Sequence, residues 1–124
     1  MHHDVIMPME HLSPCENKFI SQARLIVEQH IDNEEFTAYK LAEALEMNRM
    51  TLHRQLKRLT HLSCTAFIRK IRLTRAKEML GNPGVKVIDV GFAVGFTHMS
   101  YFARCFKRVY GQTPSAYIKT IGEV

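Results

Sequence analysis

Leu52-His53-Arg54-Gln55-Leu56-Lys57-Arg58 is written a second time as Phe102-Ala103-Arg104-Cys105-Phe106-Lys107-Arg108. Each copy runs on into a matching tail, Ser63-Cys64-Thr65-Ala66-Phe67-Ile68 and Thr113-Pro114-Ser115-Ala116-Tyr117-Ile118, and the offset is fifty residues throughout. Upstream the echo continues at an offset of forty-nine, pairing Leu41-Ala42 with Val90-Gly91 and Ala44-Leu45 with Ala93-Val94, so the second copy carries one extra residue in its turn. Repetition this consistent is the signature of one supersecondary unit used twice.

Charge is divided along the chain. Residues 1–46 hold three Lys/Arg against nine Asp/Glu, residues 47–124 hold fourteen against three, and the whole carries a net +5. Between Met47 and Lys77 nine basic residues occur without an acidic one. Such a cationic surface suits a polyanion, because the counterions released on contact supply affinity. Lys and Arg also solvate ordinary helix faces, but an acid-free run across a repeated unit favours nucleic acid.

A chain of 124 residues, 46% hydrophobic and 23% charged, fits one domain with a modest core or two very small ones sharing an element. No stretch is long and apolar enough for a membrane segment, and no signal-peptide core opens the chain. Cys15, Cys64 and Cys105 lack paired spacing, which argues against a disulfide framework and for a reducing, cytoplasmic setting. His61 and Cys64 stand close enough to meet on a turn, yet two ligands do not make a zinc site. With no nucleophile, base and metal constellation, no enzyme, metal or cofactor is expected.

The apolar spacing reads as all-α, with about seven helices. Residues 1–16, with Pro8 and Pro14, read as a linker or expression remnant. From Asn17 to Ile31, Phe19, Ile20, Ala23, Ile26, Val27 and Ile31 recur at helical steps. Thr37 can cap a short helix to about Leu45, and Asn48 a second carrying Leu52, Leu56 and Leu59 inward. Ser63 can open a long helix to about Leu80, stopped by Gly81-Asn82-Pro83-Gly84. The second copy gives a helix from about Val87 to Val94, a Gly95-Phe96 turn, a helix from about His98 to Tyr110 with Gly111 as its stop, and a last helix starting at Pro114. The first unit thus covers about 17–62, the linker helix about 63–80 and the second unit about 85–122.

Each copy is helix, tight turn, helix, the layout of a helix-turn-helix reader whose second helix enters the major groove. In the first copy Arg49, Met50, His53, Arg54 and Lys57 point away from the leucine seam; in the second Met99, Ser100, Ala103, Arg104 and Lys107 point away from Phe102 and Phe106.

Gly95-Phe96, Ser100-Tyr101-Phe102, Arg104, Phe106-Lys107, Gly111 and Thr113-Pro114-Ser115-Ala116-Tyr117 closely resemble the C-terminal pattern of the AraC/XylS family of bacterial transcription regulators. The resemblance runs from about Lys18 to Ile121 and implies two tandem, homeodomain-like helix-turn-helix units joined by a long linker helix, binding double-stranded DNA. Phe19, Asp32, Phe36 and Leu41-Ala42 look most like versions fused to hybrid two-component sensors or response regulators, and the resemblance implies RNA polymerase or a fused or associated sensory domain as a partner besides DNA. Carried over by position, Met50, His53, Arg54, Met99, Ser100 and Arg104 would face bases. Asn48, Arg49, Lys57, His98 and Lys107 would face phosphates. This chain departs from the family pattern at His61, where Gly is frequent, at Cys64, where Pro is common, at Gly91, where Ala is usual, and at Lys86, where a capping Ser or Thr is expected. Gly91 and Lys86 should weaken the second unit's first helix, Gly by about 1 kcal/mol relative to Ala.

Blander readings stand beside these. Arg54 and Arg104 could be surface ion-pair partners, Met50 and Met99 could be packing residues, and Phe96, Phe102, Phe106 and Tyr117 read as core. The linker helix spans roughly 27 Å, near the spacing of about 34 Å between successive major grooves, so one chain could read two non-identical half-sites. The alternative function is a helix-turn-helix protein-interaction module with only weak, non-specific DNA affinity.

Overall fold

The computed structural model describes residues 11–122 and holds seven helices and no strand among them. In chain order they are α1 (Pro14–Gln29), α2 (Ala38–Ala44), α3 (Arg49–Thr60), α4 (Cys64–Leu80), α5 (Val87–Ala93), α6 (Met99–Tyr110) and α7 (Pro114–Gly122). They divide into two compact units, one made of α1, α2, α3 and the first part of α4 up to Ile71, the other of Ile31–Glu34 and everything from Arg72 onward.

In the first unit α1 starts earlier than its apolar stripe suggests. Ser13 accepts a hydrogen bond from the Glu16 backbone N–H while the Glu16 carboxylate accepts from the Ser13 N–H, with Pro14 in the first turn. This reciprocal capping box satisfies two amide donors that a helix start leaves orphaned. The stretch read as a linker to residue 16 is therefore helical from Pro14; its residues 1–10 lie outside the described residues. Ile20, Ala23 and Val27 are the buried stripe of α1, joined in the unit's interior by Phe36, Leu41, Leu52, Leu56 and Phe67. His30 stacks on Phe36 at 4.5 Å between ring centroids, closing the α1 end. Thr37 sits at the α2 N-cap in extended backbone but its hydroxyl makes no cap bond. Asn48 does cap α3, its side-chain oxygen accepting from Met50 N–H at 2.8 Å and Thr51 N–H at 3.4 Å.

The helix ends of the two copies differ in one instructive way. His61 closes α3 with φ +65°, and Gly111 closes α6 with φ +83°, both in the left-handed region. A residue with a Cβ is strained there and glycine is not. His61→Gly is accordingly expected to raise stability by about 1 kcal/mol in urea unfolding, with DNA-facing side chains untouched.

In the second unit Leu73, Ala76 and Leu80 of α4 pack with Val90 and Val94, Phe96, and Phe102, Cys105 and Phe106 of α6. Phe106 is the aromatic hub, 6.0 Å from Phe102, 4.7 Å from Tyr110 and 5.8 Å from Tyr117 by ring centroid, distances suited to tilted aromatic pairs. Cys105 is buried filler in that core. Despite Gly91 and an uncapped Lys86, α5 forms, with Val90 and Gly91 buried. Tertiary packing outweighs the weak local propensity.

The α4 helix explains why its apolar residues do not form one stripe. Phe67, Ile68 and Ile71 are buried in its first part, and Leu73, Ala76 and Leu80 in its second. Arg72 sits between these sets and is only 6% exposed. Its guanidinium donates to the carbonyls of Ile31, Val94 (2.7 Å) and Asn33 (3.0 Å). Three carbonyl oxygens thus accept from a planar fork of donors that suits them. Burial pulls the Arg72 pKa down from its ordinary value, and the Asp32 carboxylate opposes that pull.

Candidate nucleic-acid interface

In the first unit, α3 turns Leu52, Leu56 and Leu59 inward, which leaves Arg49, Met50, His53, Arg54 and Lys57 exposed on the rest of its surface. Met50 is 71% exposed, a large apolar side chain held in solvent rather than in a core. Arg49, Met50, His53 and Arg54 line a shallow hollow with Ala38 at the start of α2 and Ser63, Cys64 and Thr65 at the start of α4. Burial raises the Cys64 thiol to about 11, so it stays protonated. Thr65, exposed in the first turn of α4, was not among the expected contacts; its place in the repeated tail was the signal that could have found it.

The second unit presents the equivalent register of α6. Ser100, Arg104 and Lys107 are exposed, and His98 is an exposed N-cap whose side chain makes no cap bond. Met99 is half-buried and packs against the unit's core, unlike Met50. The Arg104 guanidinium carbon lies 5.8 Å from the centroid of the Tyr101 ring, and Tyr101 leans on Phe96 at 5.9 Å. A cation over an aromatic face is held without losing its outward hydrogen-bonding fork. Tyr101, overlooked as a contributor in the sequence, is thus a prop for Arg104.

Among the described residues neither Arg54 nor Arg104 has a carboxylate partner, so the ion-pair reading has no support in the structure. The cationic run from Met47 to Lys77, by contrast, is not one surface. Arg72 is buried, Arg58 pairs with Glu16 at 3.1 Å and bonds Gln55 at 2.8 Å, and Lys77 sits 4.7 Å from the Tyr110 ring centroid. The bonds from Ser13 and Arg58 hold the Glu16 carboxyl below its ordinary pKa. Arg49, Arg54, Lys57 and Arg75 are exposed cations of the run, as is the paired Arg58. Among the described residues no three His, Cys, Asp or Glu side chains gather where they could hold a metal, and no helix is long and apolar enough to cross a membrane.

The family model described as a helix-turn-helix domain matches residues 41–120. The C-terminal domain of AraT, a response regulator from Geobacillus stearothermophilus, superposes with a TM-score of 0.75 at 28% identity, covering 88% of this chain and 87% of that one. The HTH-type transcriptional regulator MtrA of Neisseria gonorrhoeae is 32% identical over 100 residues, 79% of this chain and 33% of its own. The chain belongs to the AraC/XylS family. Its seven helices are the DNA-binding domain of a transcription regulator of that family, and the paired α2–α3 and α5–α6 are its two helix-turn-helix units. Histidine kinase P4 of Formosa agariphila is 31% identical over 106 residues, 86% of this chain but 8% of the kinase. This AraC/XylS domain therefore spans less than half the length of these two curated relatives.

Proposed function

We propose that α3 and α6 each lie in a major groove and that this domain reads two different half-sites, one per unit. The observation that carries the reading is the pair Arg54 and Arg104, exposed at the same register of equivalent helices without a carboxylate partner among the described residues. Arginine presents a planar fork that matches guanine O6 and N7. Beside it the units differ, with Met50 and His53 in α3 against Ser100 and Ala103 in α6, so their preferred bases differ. Met50 offers only apolar contact, suited to a thymine methyl, and His53 and Ser100 can donate or accept.

Arg49, Lys57 and Lys107 hold phosphates and set the register of each helix on the duplex. Asn48 has its oxygen engaged in capping α3, which leaves its NH2 group for the backbone, and His98 and the Thr65 hydroxyl serve in the same way. In the whole protein, a cytoplasmic regulator, a signal-receiving domain of the kind the histidine kinase relative suggests controls the domain, and RNA polymerase is the partner that receives its output.

The test begins with selection of bound duplexes from a random pool, where a bipartite motif with one helical turn between its halves is expected. On that site Arg54→Ala and Arg104→Ala should each cost about 1–3 kcal/mol and relax preference at one or two positions of their own half. Lys57→Ala and Lys107→Ala should weaken specific and random duplexes alike, each reducing the log–log salt slope by about 0.9. Equal losses on both duplexes for Arg54→Ala would remove it from base readout. A single unpatterned affinity for all duplexes would favour the protein-interaction alternative.

A further inference from the structure

The two copies differ at a pair of positions that lie side by side in the second. Where the first unit has Ala42, buried in α2, and Arg49, exposed at the start of α3, the second has Gly91, buried in α5, and Met99, half-buried at the start of α6. A Cβ placed on Gly91 would lie 2.6 Å from the Met99 sulfur, 2.7 Å from its terminal methyl and 3.1 Å from Phe102 Cδ2. The thioether therefore occupies the room that a methyl group at position 91 would take. Methyl at one position and cation at the other have been exchanged, as a pair, for a gap and a flexible plug that fills it. Met is suited to this, being unbranched and polarizable.

We infer that Met99 is a positioning residue and not a base contact: seated over Gly91, it ties the first turn of α6 to α5 and so fixes where Ser100 and Arg104 meet DNA. A side chain folded back onto the first helix cannot also reach into a groove. This rests on the reading of α6 as the second recognition helix. It also means that the second unit has no counterpart of the Arg49 cation at the start of its recognition helix.

Gly91→Ala tests the seat without removing Met99. The closest obstacle is the far end of a flexible side chain, the Phe102 ring at 3.1 Å must give by a few tenths of an ångström, and alanine favours a helix, so the variant is expected to keep its circular dichroism. Met99 must then swing outward, and its methyl-13C resonance should move from a buried to a solvent-exposed position. Affinity for the half-site under α6 should fall about three- to tenfold, while a duplex altered only in that half-site binds as before. Met99→Ala should give a similar loss, spread evenly over every base pair that α6 discriminates, and adding Gly91→Ala to it should cost little more.

Two results would overturn the assignment: a Met99→Ala loss confined to one base pair with Gly91→Ala neutral, or a Met99 methyl already at its exposed shift in the parent protein. The resonance reports the seat whether or not DNA is bound. If Arg104→Ala left the half-site preference intact, the recognition role of α6 would fail separately.

Discussion

Arg72→Ala is expected to remove about 3–5 kcal/mol of folding stability, a large part of what a domain of this size possesses. The side chain is a buried cation whose fork reaches the carbonyls of Ile31, Asn33 and Val94. Truncation leaves three acceptors in a site shaped around their donor, and an acceptor stranded that way costs about 1–3 kcal/mol unless water reaches it. Arg72→Met keeps most of the apolar stem and removes the fork, so the two variants separate packing from hydrogen bonding. Arg72→Lys keeps a charge but offers a compact ammonium on a shorter reach, and it should recover less than half of the loss. Urea unfolding gives the magnitudes, and amide exchange should rise first around Ile31–Glu34 and Val94, where the carbonyls are released. An Arg72→Met variant within about 1 kcal/mol of the parent would show that the fork is dispensable.

This residue also marks where sequence reading stops. Helix existence was legible because each copy repeats its apolar seam, and Leu52, Leu56 and Leu59, like Phe102 and Phe106, are buried as their spacing implies. The candidate interface was legible for a related reason: what the seam does not claim must face outward, and Met50, His53, Arg54, Ser100 and Arg104 do. Arg72 escaped because spacing assigns faces only while a helix has a single buried side. Along α4 the buried side changes between Ile71 and Leu73, and at the crossover a cation reads as one more member of a basic surface. For Met99 the sequence offered both a base contact and a packing residue, and what seats it is the missing Cβ at Gly91, a long-range complement that periodicity does not carry. The α1 start was different again. Ser13-Pro14-Cys15-Glu16 spells a capping box, but Pro14 and the unpatterned residues before it drew attention to a linker.

Gly95→Ala is the second large effect expected, at about 3 kcal/mol or more. Gly95 ends the α5 turn with φ +94°, beyond the region where a side chain sits at modest strain. Space is the larger obstacle. An added Cβ would overlap the Arg72 guanidinium and lie 2.6 Å from the Ile31 carbonyl oxygen. Neither neighbour can yield cheaply, since one is backbone and the other is clamped by hydrogen bonds. Gly111→Ala is the internal control. Its φ of +83° is comparable but no atom lies within 4 Å of the added carbon, so it should cost only the backbone strain of about 1–2 kcal/mol. The difference between the two alanines then measures the crowding around Arg72. In an Arg72→Ala background that crowding is relieved, and the Gly95→Ala penalty should fall towards the Gly111→Ala value, a coupling of about 1–3 kcal/mol in a double-mutant cycle. Additive losses would mean that glycine is required at position 95 for its backbone alone, and that the guanidinium does not set the shape of the turn between α5 and α6.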